Sequence, residues 1–326
     1  MHNKIICGDV IDKLQEVKND ISILVITSPP YFNQRKYTEI TDPKEIGREK
    51  TIDEYLSNLY IVFEDCMRVC RPDGSIVFNI GDIYLKKSLQ LIPYKFAIGV
   101  LERFDVKLIN DITWVKTNPT PRQYRKRLVP STEPFLHFVK NNDYYYNIDA
   151  FLPSEKVDPR PISPAKGVKY SIQITQSDLS REEKEKAMES LTEVLSDLRR
   201  GKVTDFRMKI RGIHKKAFGG QSGGRNSQID KQGFTIIRMY GNKLKRDVIE
   251  SSVANTKNID HSAVFPLKVI TELVYLLSKV DDLVIDPFCG SGQTCFVAKS
   301  LNRKYLGIDL NPDFCKLAET RLKEVK

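Results

Sequence analysis

The chain has 326 residues, of which 40% are apolar and 29% charged, with 52 Lys+Arg against 42 Asp+Glu and a formal net charge of +10. That is room for one large α/β domain with an insertion, or for two domains. No run is long and apolar enough to span a bilayer, so a membrane-spanning protein is excluded and no membrane partner is expected. The six cysteines are spread thinly and no signal-peptide pattern follows Met1. The expectation is therefore a cytoplasmic protein with reduced thiols and no metal site.

The first block alternates strands and helices. Ile5-Ile6-Cys7 is a short strand closing on Gly8-Asp9, and Val10, Leu14 and Val17 space a helix. Ile21 to Thr27 is an apolar, β-branched strand that stops abruptly at Ser28-Pro29-Pro30-Tyr31. Proline cannot continue a ladder and restricts the residue before it to extended geometry, so Ser28, the Pro29 carbonyl and Tyr31 sit at a strand's carboxyl end. In open α/β sheets ligands bind there. A hydroxyl, a carbonyl and an aromatic face on a stiff loop can grip a flat base that bears an amino group. Thr51 and Glu54 have capping-box spacing, and Leu56, Leu59, Phe63, Cys66 and Cys70 follow on one helical face. Arg71-Pro72-Asp73-Gly74 reads as a turn, Ser75 to Ile80 as a strand, Leu91 to Phe104 as a helix, and Ile109 to Val115 as a strand.

The middle block lacks this rhythm. Prolines interrupt it from Pro119 to Pro164, Ser180 and Glu183 open one strongly charged helix to about Arg200, and a glycine-rich loop runs over 219–224. From Thr113 to Asp260 there are 28 Lys+Arg against 17 Asp+Glu, while the remainder has 24 against 25. A near-neutral body carrying a basic insert points to a polyanionic partner on the insert. Two clusters stand out: Arg122, Arg125, Lys126 and Arg127, then Arg207, Lys209, Arg211, Lys215 and Lys216. Phosphate contact is the role expected of them.

In the last block Pro266 starts a helix faced by Leu267, Ile270, Leu273, Val274 and Leu277, and Leu283 to Ile285 is a buried strand. It leads into Asp286-Pro287-Phe288-Cys289-Gly290-Ser291-Gly292-Gln293-Thr294 and a helix. A glycine turn between strand and helix lets a ligand approach the backbone closely. No P-loop lysine follows, so a triphosphate cradle is not indicated. The next strand ends in Asp309, where a carboxylate can accept ribose hydroxyls; Asn311 is a good N-cap and Pro312 a good first helical residue. A nucleoside without a phosphate chain fits this loop, and S-adenosyl-L-methionine answers that description.

These residues match a family. Thr27-Ser28-Pro29-Pro30-Tyr31 resembles the (Asp/Asn/Ser)-Pro-Pro-(Tyr/Phe/Trp) catalytic motif of the amino-group DNA methyltransferases, and Asp286 to Gly292 resembles their cofactor motif. Gly307-Ile308-Asp309-Leu310-Asn311 is similar to the ribose-binding strand end, and Gly8-Asp9 to the acidic position that contacts the cofactor's adenine. His261 to Pro266 resembles the segment that closes over the methionine part, and Trp114 to Pro119 a recurring segment late in the catalytic half. Catalytic motif first, variable region next and cofactor motif last is the β-group order.

The resemblance implies a Rossmann-like methyltransferase fold, a mostly parallel twisted sheet flanked by helices, with an inserted basic target-recognition region. The expected divisions are 1–118 (catalytic half), 119–257 (insert) and 258–326 (cofactor half). It implies Ser28, Pro29, Pro30 and Tyr31 as catalytic residues. For the cofactor it implies Asp9, His261, Phe265, Pro266, Asp286, Phe288, Gly290, Ser291, Gly292, Thr294, Asp309 and Asn311. The reaction implied is methylation of an exocyclic amine on a base flipped out of double-stranded DNA, within a restriction-modification system whose endonuclease acts on the same site. Serine at the first motif position is associated with cytosine N4 and aspartate with adenine N6, so cytosine N4 is the first reading and adenine N6 its alternative. A DNA-binding protein on the same fold without turnover, and a methyltransferase of structured RNA, are the rivals. Relatives of this group include dimers, so a homodimer is a further expectation.

Overall fold

A computed structural model describes residues 2–34, 45–119, 125–147, 165–200, 203–214, 225–239, 246–253 and 266–325. His261, Phe265, Arg122, Lys215 and Lys216 lie outside these. The strands are β1 (Lys4–Cys7), β2 (Ser22–Thr27), β3 (Cys70–Asn79), β4 (Tyr84–Leu85), β5 (Ser88–Leu89), β6 (Lys107–Lys116), β7 (Thr132–Val139), β8 (Asp205–Ile210), β9 (Phe234–Met239), β10 (Val248–Ser251), β11 (Leu283–Asp286) and β12 (Lys304–Asp309).

Eight of them form one sheet in the order β1-β12-β11-β2-β3-β7-β6-β10, parallel except where β7 pairs with β3 and β6. β2 and β11 are buried at every position, as central parallel strands must be, because helices cover both faces. Val25 and Ile285 pack into one core, with Leu59, Phe63, Phe96 and Phe138. Leu24, Ile26 and Val284 point the other way, against Ile270, Leu273 and Val297. The Thr51 capping box is formed and opens the helix Ile52–Val69. Asn311 caps the helix Pro312–Lys323 through the amides of Asp313 and Phe314.

The contact pattern divides the chain into residues 1–151 with 246–326, and residues 152–245. The smaller unit packs the helices Ala165–Gln176 and Arg181–Arg199 on the two-stranded β8–β9 ribbon, with Phe206, Met208, Leu191 and Val194 in its core. It carries 20 Lys+Arg against 11 Asp+Glu, so the positive excess stays with it.

Three expectations change. The boundaries at 119 and 257 give way to 152 and 245, because β7 and β10 join the main sheet. β7 escapes a reading keyed to prolines: Pro134 lies one residue beyond the last β3 pair, Asn79 with Phe135, so its missing N–H breaks nothing in that ladder. Arg71 to Gly74 is a bulge inside β3, where Cys70 opposes Ser22 and Ser75 already opposes Leu24. Finally, Leu267 is 49% exposed and leaves the buried face of its helix to Ile270, Leu273, Val274 and Leu277.

Gly292 shows how closely the last two helices meet. Its φ is +77°, and a Cβ there would lie 2.7 Å from the Ala318 Cβ. Gly292→Ala combines left-handed strain with overlap and is expected to cost roughly 1–3 kcal/mol. Urea denaturation would show a lowered midpoint at unchanged slope.

Candidate active site

β2 and β11 lie side by side, Leu24 opposite Val284 and Val25 opposite Ile285. On one side of this pair the chain runs on to β12 and β1, on the other to β3, so the strand order reverses here. Such a reversal opens a crevice beyond the carboxyl ends of the strands. Both motifs are delivered to it. β2 ends at Thr27 and leads into Ser28-Pro29-Pro30-Tyr31; β11 ends at Asp286 and leads into Phe288 to Gly292. The two ends are fastened directly. The buried Thr27 hydroxyl donates to Asp286 Oδ1 at 2.6 Å, and the Phe288 amide donates to that same oxygen at 3.1 Å.

The Ser28 loop is braced from behind. The Tyr55 hydroxyl, on the helix Ile52–Val69, donates to the Pro30 carbonyl at 2.9 Å. The Asn33 amide donates to the Gly47 carbonyl at 2.8 Å. The Tyr31 hydroxyl donates toward Asn79 Oδ1 at 2.7 Å and lies 3.1 Å from Glu133 Oε2. Ser28 Oγ is 3.2 Å from both Asn79 Oδ1 and the Tyr31 hydroxyl. Asn79 is oriented in turn by its Nδ2, which donates to the Pro134 carbonyl at 2.9 Å, and Glu133 Oε1 is ion-paired with Lys116. Burial, then the Glu133 charge, holds the Tyr31 phenol well above its ordinary pKa, so it stays a neutral donor. Phe32 is buried in the core against Tyr55.

Asn79, Glu133, Lys116 and Gly81 were not legible as site residues. Gly81 is required because a Cβ there would meet the Tyr31 ring at 2.3 Å. Asn79-Ile80-Gly81 follows a readable strand, so the strand-end rule applied to a neighbour of β2 points to it. Glu133 offers no such signal, since Pro134 beside it disguises its strand.

On the glycine-loop side, Asp309 ends β12 and accepts the Gly290 amide on Oδ2 at 2.8 Å and the Asn311 amide on Oδ1 at 2.9 Å. Burial raises its pKa while these two amides hold it down. Gly8 donates its amide to the Asp309 carbonyl, which sets Asp9 beside it; Asp9 Oδ1 also caps the helix Val10–Gln15. Asp286, Ser291 and Thr294 are buried and Phe288 is half-buried. Among the described residues, Asp286 Oδ2 and Gln293 Oε1 make no hydrogen bond of ordinary geometry, and the Thr294 hydroxyl lies beside Asp286, whose charge it stabilises. Orphaned polar atoms at a strand-end glycine turn, with a carboxylate across from them, suit a polar, amine-bearing nucleoside ligand. The Cys289 thiol is pushed well above its ordinary pKa by its hydrogen bond with Cys295 and by burial, so it is a wall of the site and no nucleophile. Pro266 starts the helix Leu267–Leu277, as its residue type implies.

A DNA methylase family model matches residues 23–320. The chain belongs to the N6/N4 DNA methylase family. The M.Cfr9I type II methyltransferase of Citrobacter freundii is 24% identical to this methylase over 97% of the chain and 86% of that protein. M.HinfI of Haemophilus influenzae is 25% identical over 99% and 69%. M.MwoI of Methanothermobacter wolfeii is 35% identical, but over 44% of this chain and 21% of its own length. The chain thus spans about a fifth of the length of that relative. Among solved structures, the cytosine-N4-specific PvuII DNA methyltransferase shares the fold with TM-score 0.62 at 16% identity, covering 98% of this chain and 86% of that one. Thermus thermophilus TTHA0409, solved with S-adenosyl-L-methionine, has TM-score 0.54 at 20% identity, covering 99% and 96%.

The basic residues divide. Arg125 and Lys126 are exposed, and the Arg127 guanidinium stacks 3.6 Å over the Tyr84 ring; all three belong to the larger unit. Arg207 and Lys209 alternate along β8 in the smaller unit. Arg211 departs from the expected phosphate contact. Its guanidinium is held by both Glu183 oxygens at 3.0 and 2.7 Å and by Asp178 at 3.4 Å, which commits it to tying helix to ribbon. No helix among the described residues is long and apolar enough to cross a membrane.

Burial raises the Asp286 carboxyl from 3.8 to about 6, against the bonds from Thr27, Thr294 and the Phe288 amide. A folded-state value above the unfolded one means the native state binds the extra proton, so stability falls as pH rises from about 4 to about 6. Asp286→Asn keeps the Oδ1 acceptor and removes the titration. The variant is expected to lose this part of the pH dependence, measured by denaturation at several pH values.

Proposed function

We propose that the chain transfers a methyl group from S-adenosyl-L-methionine to the exocyclic amine of a base in double-stranded DNA, at a specific site, and that the base is cytosine, methylated at N4. The observation that carries this is the Thr27–Asp286 hydrogen bond, which holds an amine-gripping loop and a nucleoside-cradling loop at one crevice. The type II methyltransferase relatives support a restriction-modification role alongside an endonuclease of the same site. Ser28, where adenine-directed relatives are expected to carry aspartate, and the cytosine-N4-specific PvuII likeness support the choice of base.

An exocyclic amine is a poor nucleophile because its lone pair is delocalised into the ring. Acceptors aimed at its two protons localise that pair as the nitrogen becomes tetrahedral, and they act most strongly in the transition state. Ser28 Oγ is suited to be one. Its own proton can rest on Asn79 Oδ1 or on Tyr31, which leaves oxygen lone pairs for the incoming amine. The Pro29 carbonyl is the second acceptor, on a chain stiffened by two prolines and tied at Pro30 to Tyr55. Bringing nucleophile and methyl group into line supplies roughly 7–11 kcal/mol of the barrier reduction. The base must be flipped out of the duplex, at a cost of a few kcal/mol, and the Tyr31 ring is its stacking platform.

The cofactor supplies an electrophilic methyl group on a sulfonium. Asp309 would hold the ribose, since each of its oxygens has a lone pair beyond the one given to an amide. Asp9 would meet the adenine. Asp286, Gln293 and Thr294 would offer polar atoms to the methionine part, over which His261, Phe265 and Pro266 would close. Residues 152–245 would serve target recognition, with Arg207 and Lys209, and Arg125 and Lys126 from the larger unit, on phosphates. Binding to duplex DNA should then weaken steeply with salt.

The direct test is methyl-labelled cofactor with duplex DNA and with total RNA, followed by mass identification of the labelled nucleoside. N4-methyldeoxycytidine is expected. N6-methyldeoxyadenosine would move the assignment to adenine, label confined to RNA would overturn it, and cofactor binding without transfer would mark a silent DNA-binding protein. Ser28→Ala should lower turnover about 10²-fold with cofactor affinity near wild type. Asp309→Ala should do the reverse, weakening cofactor binding by roughly 1.5–3 kcal/mol in equilibrium titrations.

A further inference from the structure

Behind Ser28 lies a line of polar groups that the proposed reaction does not by itself require. Ser28 Oγ is 3.2 Å from the Tyr31 hydroxyl, and that hydroxyl is 3.1 Å from Glu133 Oε2. Glu133 enters from the start of β7, and its other oxygen is paired with Lys116 of β6, the neighbouring strand. The Lys116 ammonium also lies 5.0 Å from the Trp114 ring, which donates its indole N–H to Ser251 Oγ of β10 at 2.8 Å. Three strands that carry neither sequence motif therefore converge on the back of the Ser-Pro-Pro-Tyr loop. The charged pair is half-buried, with side chains 19% and 17% exposed, so it forms at a desolvation cost that packing alone does not call for.

Asn79 is the other group in contact with both Ser28 and Tyr31. It is a neutral amide that can orient a proton but cannot accept one. Lys116 is a cation. Among the described residues of this network, Glu133 alone is a carboxylate able to take up a proton. We propose that Glu133 is the terminal proton acceptor of the methyl transfer, reached from the substrate amine through the Ser28 and Tyr31 hydroxyls.

The step balances as follows. The amine nitrogen forms its bond to the methyl carbon as the bond from that carbon to the sulfonium sulfur breaks, and the nitrogen gains a positive charge. One N–H proton passes to Ser28 Oγ, the Ser28 hydroxyl proton to the Tyr31 oxygen, and the Tyr31 phenolic proton to Glu133 Oε2. Both hydroxyls are regenerated, the carboxylate becomes a carboxylic acid, and it later returns its proton to solvent. Tyr31 moves its O–H from Asn79 to Glu133 during transfer, a rotation of one bond. Lys116 holds the carboxylate in place through its ion pair with Oε1. Glu133 touches no substrate; it acts through Tyr31 and positions the hydroxyl protons.

This inference rests on the methyltransferase reading, and the experiment separates the two. Single-turnover methyl transfer to duplex DNA is measured for wild type, Glu133→Gln, Glu133→Asp, Tyr31→Phe and the Tyr31→Phe/Glu133→Gln double variant, over a pH series, with cofactor affinity by equilibrium titration. Glu133→Gln keeps the hydrogen-bonding shape and is expected to slow transfer about 10²-fold at unchanged cofactor affinity. Glu133→Asp is expected to restore part of the rate. The double variant is expected to be no slower than the slower single variant, because one relay is broken only once. Glu133 meets Tyr31 from the catalytic loop and Lys116 from β6. Lys116, Asp286 and Asp309 remain in both proteins, so the acid-side fall in rate that wild type has and Glu133→Gln lacks belongs to Glu133. A Glu133→Gln enzyme within about twofold of wild type overturns the relay, as do fully additive losses or an acid limb unchanged between the two proteins. Absence of any methyl transfer by the wild-type protein overturns the methyltransferase reading itself.

Discussion

The site depends on one hydrogen bond between residues 259 positions apart, the 2.6 Å contact of the Thr27 hydroxyl with Asp286 Oδ1. It lies where two fully buried strands end side by side. A buried carboxylate in that position is costly unless it is hydrogen-bonded. Thr27 and the Phe288 amide satisfy one oxygen, and the Thr294 hydroxyl lies by the carboxylate and lowers its pKa. The same contact thus couples the two loops. A looser join would let the loops drift, and alignment in a transfer reaction is sensitive to shifts of about an ångström.

Around this join, charge is placed where it can be held. Asp309 is compensated by two backbone amides, while burial raises the Asp286 carboxyl to about 6. Behind the Ser-Pro-Pro-Tyr loop the negative charge sits one hydroxyl beyond Ser28, at Glu133, and the groups at the front of the loop are neutral. Ser28, Asn79 and Tyr31 therefore present a hydrogen-bonding surface without a fixed charge at its front. This suits an amine that must first bind neutral and then become positive.

The two units solve different problems. The larger one buries its central strands on both faces and uses that rigidity to hold strand-end residues in place. The smaller one is a ribbon backed by two helices, its core fixed by Phe206, Met208, Leu191 and Val194, and its Arg211 committed to Glu183 and Asp178. A basic residue in a basic region is thus not always free for a partner, and sequence clusters overstate the number that are.

What the sequence by itself determined is what local rules encode. Diproline after an apolar strand, a glycine turn after another, the Thr51 capping box and the Asn311 cap each follow from neighbouring residues, and each is present. The α/β class, the two loops and Asp309 were legible for that reason. What only the tertiary structure decided is everything that depends on which strands become neighbours. β7 was hidden by its proline, and with it Glu133 and its pairing with Lys116; the approach of Asn79 to Ser28 and the need for Gly81 beneath Tyr31 follow from the pairing of β2 with β3. Local propensity fixes the conformation of a segment within a few residues of itself. Contacts between side chains 17 to 259 positions apart are set by sheet order and register, and these minimise the free energy of the whole core rather than of any one segment.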